Sequence, residues 1–307
     1  MLSLARDVTV GDPVAVGPVQ MFPLFSPTQS SLSYLTCAAA TGSGLLECDE
    51  LNPPDLSTVI ATNLAVAPVL IPNGTLVFGG AQSRVVSSGI LCPPRAVVMV
   101  SVAGVDPERW GPFGPLSPTD RSAPGSVRAV LADTVRAGGP DPHLSQADQD
   151  AVWLACASIL ESTSSQGGDL CDSIEERASL LMPHLEHLVA QDGQTGLVCV
   201  IGDQVAGMDI FDRPAALARH LPGILIGHAL DSSGRASSID EMEASYVATE
   251  SVYQFLELVD GASTSLLPGG GVADGFRLDG AVVGAGLRYD DEVVHLAAFT
   301  SPVPRGR

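Results

Sequence analysis

The sequence predicts an α+β protein, with a β-rich N-terminal half, an antiparallel sheet curled into a sandwich or barrel, packed with a mixed C-terminal half of helices and hairpins. Three observations predict it. Short β-type runs cut by Pro and Gly fill the chain to about residue 104. Beyond it, serines followed three residues later by an acid mark helix starts, and two late hairpin patterns supply the remaining strands.

The β runs are Val16 to Leu24, Val59 to Asn63, Val69 to Ile71, Arg84 to Cys92 and Val97 to Val102, separated by punctuation such as Pro53-Pro54, Gly79-Gly80 and Pro93-Pro94. The stretch 107–124, with Trp110-Gly-Pro-Phe-Gly-Pro and Ser117-Pro, reads as a linker between a β-rich region, 10–106, and an α+β region, 125–307, although the two fit one integrated domain as well. Ser145 with Asp148, Ser173 with Glu176 and Ser238 with Glu241 place helices near 146–161, 174–190 and 239–259. Leu197 to Ile201 and Gln204 to Phe211 flank Gly202-Asp203 as a compact hairpin, and a helix from Pro214 to Leu230 is expected to be interrupted near Pro222. Val282 to Arg288 and Val293 to Phe299 around Asp290-Asp291 form a closing hairpin.

All fifteen basic side chains are arginine. Without lysine, Schiff-base chemistry and a Walker-type phosphate loop are excluded. Apolar residues make up 45% of the chain against 16% charged, enough for a substantial core in 307 residues. A formal charge of −20, with the arginines scattered, repels phosphate backbones, so no nucleic-acid partner is expected. The six cysteines form no C-x-x-C pair, the N-terminus lacks a signal-type pattern, and every apolar stretch is broken well before the roughly eighteen residues of a membrane span. A reduced, cytoplasmic protein with no membrane partner is the expectation; the oligomeric state stays open. Arg, Ala, Gly and Pro without Lys suggest a GC-rich, actinobacterial-type genome.

G-x-S-x-G, G-x-G-x-x-G and H-E-x-x-H are all missing. His184 and His187 flank Glu186, but helical periodicity turns His187 nearly opposite the apolar face, so no metal site is expected. Asp209 interrupts an otherwise apolar strand just before a helix, where desolvation raises proton affinity unless a donor compensates. It is read either as a functional carboxylate or as a residue on the solvent face of an edge strand, while Asp212 is read as a helix cap. Gly79 and Gly80 let a ligand approach the backbone beside Gln82 and Arg84, with the fork of Arg84 suited to a carboxylate or phosphate; a tight bend with Arg84 bound to Glu47 or Glu50 is the equal alternative. Trp110, Trp153, His228 and His295 have no decisive context, and His228 is the best titrating candidate among them.

The block Gly196 to Pro214, running on through Leu221-Pro-Gly-Ile-Leu to Ala229-Leu-Asp231, resembles a domain family named for its association with ADP-ribosylglycohydrolases and rhodanese-phosphatases. Tyr34-Leu-Thr36, Leu45-Leu-Glu47 with Glu50, the Gly79 to Arg84 loop, Arg109-Trp110, Asp150-Ala-Val-Trp153 and Val294-His-Leu-Ala-Ala-Phe299 extend the resemblance over nearly the whole chain. The family's loop reads Gly-Glu-Glu-Leu-x-Gly-Ala-Lys-Gln-Asn-Arg. Here Thr75, Leu76, Ala81 and Ser83 stand in place of two acids, a lysine and an asparagine, leaving Gln82 and Arg84.

If that loop lines the family's pocket, the ligand here is greasier. The expected function is therefore a metal-free, cofactor-free enzyme that promotes cyclisation or rearrangement of a largely apolar small molecule in specialised metabolism. Gln82 and Arg84 would anchor the substrate, and Asp209 or His228 would move a proton. Two alternatives remain: a non-catalytic binder of ADP-ribose or a related nucleotide, with Arg84 and the start of the 213 helix meeting the phosphates, and a structural partner without a ligand.

Overall fold

The structure, a computed structural model, describes residues 8–302 except 17–18, 28–29, 31, 112–113, 136–143, 164–168, 186–188, 203, 233–248 and 268–270. The chain begins with strands β1 (Thr9–Val10), β2 (Val14–Val16), β3 (Val19–Phe25) and β4 (Leu35–Thr36), then helix α1 (Cys37–Gly42). Eight strands follow: β5 (Leu46–Glu50), β6 (Thr58–Asn63), β7 (Val69–Ile71), β8 (Thr75–Gly79), β9 (Arg84–Val86), β10 (Ile90–Cys92), β11 (Ala96–Gly104) and β12 (Leu116–Ser122). Helices α2 (Gly125–Thr134), α3 (Gln146–Thr163) and α4 (Leu170–Leu185) lead to β13 (Gly196–Ile201), β14 (Gln204–Phe211), α5 (Pro214–Asp231) and α6 (Thr249–Gly261). The chain then runs through β15 (Ser263–Leu267), β16 (Asp274–Asp279), β17 (Val282–Tyr289) and β18 (Glu292–Thr300).

The architecture is α+β with a β-rich N-terminal half. Strands β11, β6, β5, β12, β8 and β9 close into a six-stranded barrel, with β9 returning to pair with β11. A large sheet has the order β1-β3-β13-β14-β18-β17-β16-β15, with β2 paired to β3; β10, β7 and β4 form a small third sheet. Two expectations need correction. The stretch 107–124 supplies β12, an integral barrel strand between β5 and β8, because Leu116 and Pro118 point inward despite the surrounding prolines. The N-terminal strand β3 pairs with β13 along its length, so the sheets do not follow the division into 10–106 and 125–307.

The large sheet is covered on both faces, which is why β13 reads as an unbroken apolar run rather than an alternating one. Leu197, Cys199 and Ile201 face the cluster shared with α3, α4 and α5, while Val198 and Val200 face the cluster under α6. Helix α5 runs unbroken through Pro222, contrary to the expected interruption. The helix is buried along most of its length, so packing holds it despite the missing amide donor. That packing is close: a methyl group at Gly223 would lie 1.9 Å from Asp120 O, and one at Gly227 would lie 2.7 Å from Ala123 O. Two glycines one turn apart let α5 sit directly on the backbone of β12.

Helix starts are partly as expected. Ser145 and Asp148 exchange hydrogen bonds, Ser145 N donating to Asp148 Oδ2 at 3.2 Å and Asp148 N to Ser145 Oγ at 3.2 Å. For α4, Asp169 and Asp172 form the reciprocal pair instead of Ser173 and Glu176, so the helix begins earlier. Ser238 and Glu241 lie outside the described residues, as does Asp203 of the first hairpin. In the closing hairpin, Asp290 and Asp291 take φ values of 47° and 65°, the left-handed pair a two-residue turn requires. Among the described residues, no helix is long and apolar enough to cross a membrane.

Candidate functional site

Strand parity builds the site. In β14, Met208 and Ile210 enter the cluster under α6, so Asp209 and Phe211 project to the opposite face, toward α5 and α2. Register then places Ala297 beside Asp209 and His295 beside Phe211 on the neighbouring β18. Asp209 is fully buried within the sheet, so the solvent-face, edge-strand reading does not hold.

Its compensating donor comes from α2. Arg128 donates two hydrogen bonds to Asp209, Nη1 to Oδ2 at 2.9 Å and Nη2 to Oδ1 at 2.6 Å. The guanidinium also lies 5.0 Å from the ring of Phe299. Room for the arginine shaft is left by Gly74, whose φ is 80°; a methyl group there would lie 2.4 Å from Arg128 Nε. His295 completes the cluster, with Nε2 at 3.3 Å from Asp209 Oδ1. Phe211 lies between two imidazoles, stacked on His220 at 5.2 Å and tilted 38° to His295 at 4.6 Å.

Burial and these neighbours set the charges. Burial pushes the carboxyl of Asp209 up, but Arg128 and His295 outweigh it and hold the group well below the usual carboxylate range. Burial, reinforced by His295, brings His220 down to about 3. His295 is lowered by burial despite the pull of Asp209. Near neutral pH the cluster therefore holds one ion pair and two neutral imidazoles. Facing a carboxylate, Nε2 of His295 carries the hydrogen, which leaves Nδ1 as a lone-pair acceptor, and that atom has no partner among the described residues.

These groups border a narrow cleft where the barrel meets the large sheet. Pro72, Asn73 and Thr75 form the barrel side, Asp120, Arg121 and Ser122 come from β12, and Ile224 with His220 from α5. Its volume is about 10 Å³, room for roughly one water-sized group. Asp120 and Arg121 are its half-buried members and mark its mouth.

Of the catalytic and binding candidates named from the sequence, only Asp209 lines this cleft, together with His295, which had no decisive context there. Gly79 and Gly80 have φ of 99° and 64°, and methyl groups on them would meet Pro115 O and Glu50 Oε1 at 2.4 Å, so both serve close approach within the barrel. Ala81 N donates to Glu50 Oε1 at 2.9 Å. Arg84 is fully buried, 3.6 Å from Glu50, and bonds Gln82 O; this is the tight-bend alternative. Gln82 ties Arg109 O and Asp106 N, at 3.0 and 3.2 Å. Thr75 is the one substituted loop position that reaches the cleft; Leu76, Ala81 and Ser83 do not.

His228 lies further along α5, buried beneath Gly125, with Nδ1 at 3.9 Å from Asp231, and burial lowers it to about 4. Asp212 does not cap α5 by its side chain: it accepts a short hydrogen bond from the Tyr34 hydroxyl and pairs with Arg213 at 2.8 Å. His187 and Glu186 lie outside the described residues, and only the backbone of His184 is described. Among the described residues no group of three or more metal-ligating side chains is assembled.

Arg128 and His220 were missed, and His295 was named from the sequence without a role. The signal for Arg128 is its standing as the one cation in the apolar start of α2, Gly-Ser-Val-Arg-Ala-Val-Leu. His295 interrupts an apolar strand as Asp209 does, and pairing the two hairpins would have brought them together.

Comparison with curated proteins and with solved structures yields no match. The model of one domain family, ARPP-1, matches residues 7–299. With nearly its whole length matched, the chain belongs to the ARG and Rhodanese-Phosphatase-superfamily-associated Protein domain family.

Proposed function

We propose that this protein is a cofactor-independent enzyme that rearranges or cyclises a neutral, largely apolar small molecule by proton transfer at the cleft between barrel and sheet. One observation carries the proposal: His295 is held by Asp209 through one ring nitrogen while the other, unpartnered, belongs to a residue lining the cleft. A neutral imidazole oriented by a carboxylate is the arrangement a general base needs, because the carboxylate fixes the tautomer and stabilises the imidazolium formed when a proton arrives. Asp209 is then a positioning residue. Clamped by Arg128, it has too little proton affinity to act as the base itself.

Phe211, Ile224 and Pro72 supply apolar wall, in keeping with a substrate of low polarity. Since the hollow admits one small group, the reacting end of the substrate enters and the remainder lies toward Asp120 and Arg121. Six free, buried cysteines fit a reducing, cytoplasmic setting.

The nucleotide-binding alternative gains no support from Arg84, which is paired with Glu50. Calorimetry with ADP-ribose tests that reading, and saturable heat lost in Arg84→Ala would establish it against ours. For the enzyme reading, purified protein is incubated in D2O with a small-molecule extract of the producing cells. Deuterium incorporation or mass-neutral conversion of a component is expected, reduced about 10²–10⁴-fold in His295→Gln. No converted component, or equal conversion by the variant, contradicts the proposal.

A further inference from the structure

The outer wall of the barrel, on the β5-β6-β11 side, carries apolar side chains where a half-exposed strand ordinarily sets polar ones. Along β11, Val98 and Val100 pack against the barrel interior, so Val97 and Met99 point outward, 67% and 68% exposed. On β5, Leu46 and Cys48 point inward and leave Glu47 and Asp49 outside. Register arranges these residues in two rows across the intervening β6. Val97 lies opposite Thr62 and Thr62 opposite Glu47; Met99 lies opposite Ile60 and Ile60 opposite Asp49. Beyond the end of β6, Leu64 and Val66 extend the apolar surface, 46% and 77% exposed.

The charges of this face are unspent. Among the described residues no ion pair engages Arg95, Glu47 or Asp49, and all three are exposed. Arg95 immediately precedes β11, its amide donating to Ala65 O at 3.1 Å, whereas Asp49 sits on β5 in the row of Met99. The cation and this acid therefore occupy opposite corners of a three-strand face. A two-fold axis lying in the plane of the face exchanges opposite corners, so Arg95 of each copy meets Asp49 of the other, and Val97 of each comes over Ile60 and Met99 of the other. Elsewhere a chain of charge −20 repels its own kind, which makes matched opposite charges here the condition for a second copy to approach.

We propose that this face is a self-association surface, on which two copies of the chain pack barrel to barrel about a two-fold axis. Three strands of about five residues present roughly 14 by 17 Å. That is a few hundred square ångströms, less than the roughly 800 Å² per partner of a standard interface, so the dimer is reversible and concentration-dependent rather than obligate.

Sedimentation velocity of the full-length protein, from micromolar to millimolar concentration, reads the equilibrium, and a reversible monomer–dimer exchange is expected. Met99→Asp enters the interface twice by symmetry and should raise the dissociation constant at least about tenfold. Leu180→Asp, at a leucine of α4 that is 59% exposed, should leave it within about twofold and controls for exposed apolar residues in general. Arg95→Glu sets like charges against each other across the axis and should weaken the dimer at least about threefold. Adding Asp49→Arg in the same chain reverses both corners at the original net charge, and the constant should return to within about twofold of the starting protein. All the substituted positions are exposed, and thermal midpoints matching that of the starting protein show that each variant is folded. A monomer at every concentration, a dimer that Met99→Asp leaves intact, or a double charge reversal no tighter than Arg95→Glu alone overturns the proposal.

Discussion

Asp209 and Arg128 form a pair whose loss is felt as an uncompensated charge rather than as a missing contact. Asp209→Asn keeps the shape but leaves Arg128 buried without its counter-ion, so a loss of about 3–5 kcal/mol in unfolding free energy is expected by urea denaturation. Arg128→Met should cost a similar amount by stranding the carboxylate. Combining Arg128→Met with Asp209→Leu removes both charges, and recovery of more than half of the single-variant loss is expected because a well-packed apolar replacement is often tolerated. The double variant should nonetheless lose the fixed orientation of His295, and with it turnover. If it remains fully active, the pair has no positioning role.

At the scale of elements, close approach of α5 to β12 brings His220 to the cleft. Gly223→Ala should destabilise the protein by at least about 1–3 kcal/mol in thermal unfolding, because the new methyl meets a backbone carbonyl rather than a flexible side-chain tip. On an exposed helix the same change would stabilise by about 1 kcal/mol. An unchanged midpoint would show that the helix can shift away from β12 without penalty.

Elements governed by local rules were legible in the sequence. The two hairpins around Gly202 and Asp290-Asp291 lie where apolar β-type runs and turn residues put them, and α3 begins at its capping serine. What the sequence concealed was long-range. β12 looks like a linker because Pro115 and Pro118 suggest irregular chain, yet barrel closure gives it partners on both sides. Asp209 stood out as a charge within an apolar strand, but its donor lies 81 residues away on α2, and no local spacing connects them. The twin-glycine turn drew attention as a ligand loop because glycines open backbone equally to a substrate and to Glu50; residue types alone do not separate the two.

For the whole molecule, the buried imidazoles couple folding to pH. His220, His228 and His295 all have lowered proton affinity when folded, to about 3 and about 4 for the first two. Above the ordinary histidine value of 6.5 both states are neutral and nothing is lost. As pH falls below it, the unfolded chain binds protons that the native one refuses, so stability declines. Asp231, raised to about 6 by burial, acts in the opposite sense between roughly pH 4 and 6, one group against three. Asp209, with its lowered affinity, adds a further loss only below its ordinary value of 3.8. The thermal midpoint should therefore fall from pH 6.5 toward pH 4, and a flat profile there would mean that the histidines are not buried as neutral groups.

The state of His295 is the foundation of this account, and long-range ¹H–¹⁵N correlation of its imidazole as a function of pH measures that state directly. The ring should be neutral at pH 7 and protonate only below the ordinary histidine value of 6.5, with hydrogen on Nε2 and a bare Nδ1 while neutral. A protonated ring at pH 7, or hydrogen on Nδ1 with Nε2 bare toward Asp209, would contradict it.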